Sequence, residues 1–298
     1  MRYVSLHSAE RVASVLAVVA GAWLVPKQSS WLALVTSVGL AHYALSVFYS
    51  KKQIAQVCSQ PFSGALFAAL LVCGVALFWY GFPLIILFGF HHVFNEVYLL
   101  NRSLKLREGP ENAGLRTASI ILNLMLYFAT VRSYPELQFM NHAFLFVGVA
   151  VACGVFLFAL ARVGKMLAPS QWVDCCVFEI VGIVLLAVSF YYRINVYHVV
   201  LYHCIFWGVY PLQKMARQKS GETGRYIGLN IAAVLIAFVF SPRSFVHPLR
   251  IPGVGWDALF RFASTTHILM SLGLSTAHPA WITRWFLGRQ RQAVARST

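Results

Sequence analysis

Apolar stretches of bilayer-spanning length follow one another along this chain, and that pattern leaves few folds open. A run of roughly 20 apolar residues crosses a membrane as a helix, because a helix satisfies its own backbone N–H and C=O groups where no water can. Such runs lie at about 9–26, 30–50, 61–80, 83–101, 115–132, 143–162, 171–191, 196–213, 225–241 and 256–281. The breaks carry turn chemistry: Pro26, Tyr80-Gly81-Phe82-Pro83, Glu108-Gly109-Pro110, Pro135, Pro169, Pro211 and Ser241-Pro242. The expectation is an all-α, polytopic integral membrane bundle of about ten transmembrane helices, forming a single transmembrane domain over residues 1–298. With 59% hydrophobic and 11% charged residues, the chain leaves no room for a large soluble domain. The first apolar run, from about Val12 to Val25, lacks a small-residue cleavage site and is expected to stay as the first span.

A net charge of +15 would suit a nucleic-acid partner, but the basic residues sit in short loops between apolar runs, and no nucleic acid is expected. Alternate loops share them unequally. Lys27, Arg132, Arg193, Arg243, Arg250 and Arg261 fall on one side, against the remaining eighteen of the 24 Lys and Arg (24 − 6). By the positive-inside rule both termini are cytoplasmic, even-numbered spans run from outside to inside, and the setting is a bacterial-type inner (cytoplasmic) membrane, crossed many times. Cys58, Cys73, Cys153, Cys175, Cys176 and Cys204 lie within or beside apolar runs with no C-x-x-C pair, so neither a disulfide framework nor a thiolate metal site is expected. No internal repeat argues for an inverted-repeat transporter.

Seven of the ten histidines lie inside apolar segments: His42, His91, His92, His198, His203, His267 and His278. An intramembrane imidazole is costly and marks a site. All seven fall on even-numbered spans. At about 1.5 Å per residue, His42, His92, His203 and His267 lie roughly 10 to 18 Å below the outer ends of their helices, at one depth. His278 stands about three turns further toward the cytoplasm than His267.

Span four is densest in chemistry, reading Phe90-His91-His92-Val93-Phe94-Asn95-Glu96. His92 and Glu96 share a face at a separation of four, and His91 pairs in the same way with Asn95. Glu96 could ligate a metal directly or orient an imidazole from behind; a hydrogen-bonded structural cluster is the simpler alternative. On span eight His203 is the deeper candidate and His198 lies near the outer boundary among tyrosines. Asp174 and Glu179 stand on span seven, the first near the interface, the second deep enough to carry a proton or pair with a cation. His7, His142 and His247 lie at span edges or in loops and need no special role.

The candidate metal ligands are therefore His42, His92, His203 and His267, with His91 and His198 as further possibilities and Glu96 as the catalytic or orienting carboxylate. Neutral nitrogen with some oxygen suits iron, zinc or copper, and without thiolates non-haem iron is the expected cofactor, with zinc or copper as alternatives. No H-E-x-x-H is present. Iron with open positions activates dioxygen, and a bundle rich in aromatic residues would receive a lipid-soluble small molecule from the bilayer. Two other classes remain open: a transporter or proton/metal-ion relay using the same histidines, and a haem b electron-transfer protein with axial histidine pairs. The sequence is silent on oligomeric state.

An early histidine, a histidine followed four residues later by an acid, a later aromatic helix with histidine, and a final helix containing Thr266-His267-Ile268-Leu269-Met270 together resemble the Brp/Blh family of bacterial membrane β-carotene dioxygenases. The resemblance implies an integral membrane oxidoreductase whose histidine-bound iron cleaves a carotenoid with dioxygen. It would make His42, His92, His203 and His267 the iron ligands, with Glu96 in the place of the family's aspartate. The family's early Pro-His-Gly is here Ala41-His42-Tyr43, and Trp207 stands where its second histidine of a pair would follow His203.

Overall fold

The computed structural model describes residues 6–24, 28–103, 110–217, 222–240, 256–274 and 286. Among them run ten α-helices and no strand: α1 (Leu6–Leu24), α2 (Gln28–Cys58), α3 (Pro61–Trp79), α4 (Leu84–Ser103), α5 (Pro110–Thr130), α6 (His142–Val163), α7 (Pro169–Val188), α8 (Val196–Arg217), α9 (Glu222–Val239) and α10 (Trp256–Leu274). Each coincides with one expected span. Seven of them, α2 to α7 and α9, contain stretches long and apolar enough to cross a bilayer, so the chain is a multi-pass helical membrane protein. Helix α8 contributes a shorter apolar stretch, Val196–Leu212.

Two boundaries differ from expectation. Helix α2 continues past residue 50 to Cys58, because Lys51 and Lys52 face out while Val57 turns inward onto Phe67, Leu274 and Phe286. At 31 residues it is about 46 Å long, well beyond a hydrocarbon core of about 30 Å. Helix α10 is described to Leu274, and His278 lies outside the described residues, as do His247 and the side chain of His7.

The chain divides into two compact units. The first takes in α1 up to Ala20 and Phe88–Phe206. Within it α5 packs against α6 and α7. Helix α6 turns Leu145, Ala152, Phe156, Leu160 and Val163 inward at helical spacing, and starts at Asn141, whose Oδ1 accepts from Ala143 N–H at 2.9 Å. Helix α7 begins on Pro169 and buries Asp174, Cys175, Phe178, Glu179, Gly182 and Leu186 along one stripe. At the far ends of α5 and α7, Arg132 donates to Ala129 O (2.8 Å) and Ser189 Oγ (2.7 Å) and rests against the Phe146 and Phe190 rings.

The second unit holds Gly21–Leu87 and the chain from Trp207 onward. Here α2 packs against α9, α10 and α3, and α10 against α3. Helix α3 closes where the sequence places a tight turn. Gly81 N–H donates to Phe78 O (3.1 Å) and Phe82 N–H to Leu77 O (2.9 Å), the paired bonds of a helix end that needs a left-handed residue. Gly81 supplies it with φ 67°.

Nothing lies within 4 Å of a Cβ built at Gly81, so substitution there tests backbone conformation alone. Gly81→Ala should cost roughly 1–2 kcal/mol of stability, read as a lowered thermal transition of purified protein. Gly81→Asn should retain more stability than Ala, because Asn tolerates the left-handed region.

Candidate metal centre

In the first unit, α4 and α8 bring together the residues that their helical periods predict to share a face. His92 Nδ1 stands 3.4 Å from Glu96 Oε1, one turn along α4, and 3.4 Å from His203 Nδ1 of α8. His91 meets Asn95, whose Nδ2 lies 3.1 Å from its Nδ1, and its ring centroid is 5.0 Å from that of His203. Phe88 stacks on His92 at an interplanar angle of 4° and presents an edge to His203. His91, His92, Glu96 and His203 are all buried. The expectation that His92 and His203 lie at one depth matches this contact.

Glu96 accepts a hydrogen bond from the Tyr202 hydroxyl at 3.1 Å and lies 3.7 Å from Arg11 Nη1 of α1. Arg11 is buried, with its guanidinium carbon 3.8 Å above the centre of the Phe178 ring. Arg11, within the first expected span and counted only as one of the eighteen cytoplasmic-side cations, is the counter-ion of Glu96. Its signal was there to read: the pair Glu10-Arg11 opens an apolar run, and a charge at such a position needs a partner.

In the second unit, His42 of α2 and His267 of α10 have ring centroids 4.9 Å apart, and Tyr43 lies 4.8 Å from His267 and 3.0 Å from the Ser264 hydroxyl. Ser46, one turn after His42, meets His267: its hydroxyl donates to Tyr43 O at 2.7 Å, and its oxygen lies 2.9 Å from His267 Nδ1. Such outer hydrogen bonds orient a metal-binding imidazole.

The sequence candidates thus fall into two groups: His42 with His267 in the second unit, and His91, His92 and Glu96 with His203 in the first. His198 is placed otherwise: its Nδ1 lies 2.7 Å from Asn195 Oδ1 and its Nε2 3.3 Å from the Tyr192 hydroxyl, at the start of α8, where Asn195 Oδ1 also accepts from Tyr197 and His198 N–H. His142, first residue of α6, is exposed. Sequence reasoning missed Ser46, Tyr202 and Arg11, and the first two stand beside candidate histidines, one turn or one residue away.

No protein family, curated protein or solved structure matches this chain.

Two predictions follow from the geometry. Ser46→Ala should leave a folded protein with roughly 10–100-fold weaker metal affinity, the usual loss when a supporting hydrogen bond is removed, measured by competition with a chromogenic chelator. Arg11→Met leaves the Glu96 carboxylate without its cation and should destabilise the fold by about 3–5 kcal/mol, seen as a lower thermal transition that Arg11→Lys partly restores.

Proposed function

We propose that this protein is a membrane-embedded, histidine-ligated non-haem iron oxygenase that uses dioxygen on a lipid-soluble substrate of the carotenoid, isoprenoid or lipid class, in a bacterial-type cytoplasmic membrane. The observation that carries the reading is that each unit brings intramembrane imidazoles into ring contact, His42 with His267 in one and His91 and His92 with His203 in the other. A closed structural zinc site takes four protein ligands and commonly cysteines, whereas imidazole ligands suit iron with positions left open for dioxygen or substrate. Bound there, iron would supply dioxygen activation. The order of histidine motifs, similar to that of membrane carotenoid dioxygenases, points to the same chemistry and to an apolar substrate.

The protein's own residues would act around that ion. By the order of motifs, its ligands are His42, His92, His203 and His267. Glu96 supports His92, with Arg11 and Tyr202 fixing the carboxylate, and Ser46 orients His267. Phe88 and Tyr43 pack rings against these histidines.

Elemental analysis and optical spectroscopy of detergent-purified protein, after anaerobic loading with Fe(II), test the assignment. Near-stoichiometric iron should be retained, with dioxygen uptake on addition of a carotenoid or isoprenoid. Alanine at His42, His203 or His267 should each lower the iron content, while His142→Ala should not. Metal content far below one per chain, or an equal content in all four variants, would remove the proposal. A haem Soret band would replace it with an electron-transfer reading.

A further inference from the structure

The polar chain of the first unit does not end at Glu96. Arg11 donates from its second amino group to Asn123 Oδ1 at 3.2 Å, and Asn123 donates from Nδ2 to Glu179 Oε2 at 2.7 Å. The other oxygen of Glu179 lies 2.5 Å from Ser119 Oγ. Gly182, one turn along α7 from Glu179, makes room for the guanidinium: a Cβ there would stand 3.0 Å from Leu126 Cδ1 and 3.7 Å from Arg11 Nη2. Arg11, Glu96, Asn123 and Glu179 are all buried, Glu179 at 3% exposure.

This network sets two carboxylates around one cation. Besides Arg11, the described groups around Glu179 are the uncharged Ser119 and Asn123 on α5, Cys153 on α6, and Cys175 and Cys176 on its own helix. An unbalanced charge in a water-free interior is expelled by taking or losing a proton, because the charged form loses its hydration with nothing to replace it. The two acids are not equivalent. Glu96 stands 3.7 Å from the cation and accepts from Tyr202, whereas Glu179 has the neutral Asn123 amide between itself and Arg11.

We propose that Glu179 is a proton-binding site inside the membrane, held as a neutral carboxylic acid between the Ser119 hydroxyl at Oε1 and the Asn123 amide at Oε2. Glu96 keeps the negative charge that Arg11 balances. The first unit thus carries an exchangeable proton on a buried acid, the feature by which intramembrane carboxyl groups serve as proton carriers. This does not depend on any metal being bound.

Infrared spectroscopy of the full-length protein in lipid nanodiscs at neutral pH tests it. The protonated-carboxyl C=O band should shift in heavy water and disappear in Glu179→Gln. Because Gln reproduces the shape and neutrality of the protonated acid, Glu179→Gln should also match the wild type in folded yield and thermal transition. A wild-type spectrum that loses no carboxyl band on this substitution overturns the proposal, and so does a Glu179→Gln protein that fails to fold.

Discussion

The contact on which the first unit depends is the ion pair between Arg11 and Glu96. Two apolar helices in lipid gain little from burying apolar surface against each other, since the lipid is as apolar as they are, and their register must come from close packing or polar contacts. Here one carboxylate does that for three helices: Glu96 of α4 meets Arg11 of α1 and Tyr202 of α8. The same carboxylate faces His92, which faces His203, so helix register and imidazole orientation rest on one group. Coulomb attraction is strong at low dielectric, but so is the cost of desolvating both ions. The pair therefore adds more to specifying one arrangement than to net stability.

The two most buried spanning stretches, those of α4 and α5, are also the least hydropathic. In α4 and α5, 61% of the spanning stretch is buried, and these are the helices that carry His91, His92, Glu96, Ser119 and Asn123. Helix α6, the most hydropathic, is only 22% buried. A soluble protein would show the reverse. In a bilayer the apolar side chains can face the solvent, and the interior is where polar groups find partners.

That inversion explains what could be read before the structure. The ten helices were legible because length and hydropathy state the bilayer's demand directly, and the Gly81 turn because its chemistry is local. The pairs His92 with Glu96 and His91 with Asn95 followed from helical period, and the meeting of His92 with His203 and of His42 with His267 from topology and depth. Arg11 was misread because a cation at the edge of an apolar run looks the same whether it faces headgroups or a buried acid. Only the position of Glu96, far along the chain, distinguishes the two. Ser46 was invisible for another reason: a helical serine ordinarily bonds its own backbone, as this one does with Tyr43 O, and its second role depends on a helix that arrives late in the sequence. The extension of α2 turns on Val57, whose partners Leu274 and Phe286 lie far along the chain.

The burial of Arg11 also bears on how the chain is made. Asn123, its hydrogen-bond partner, follows 112 residues later, and Glu96 not long before that. During synthesis α1 leaves the ribosome well ahead of both, with a guanidinium whose insertion at mid-membrane costs about 2.5–3.5 kcal/mol when nothing compensates it. The first helix must therefore wait at the translocation channel or the headgroup layer until α4 and α5 emerge. Its final seat is a late event in biogenesis, although its residues are translated before those of α4 and α5.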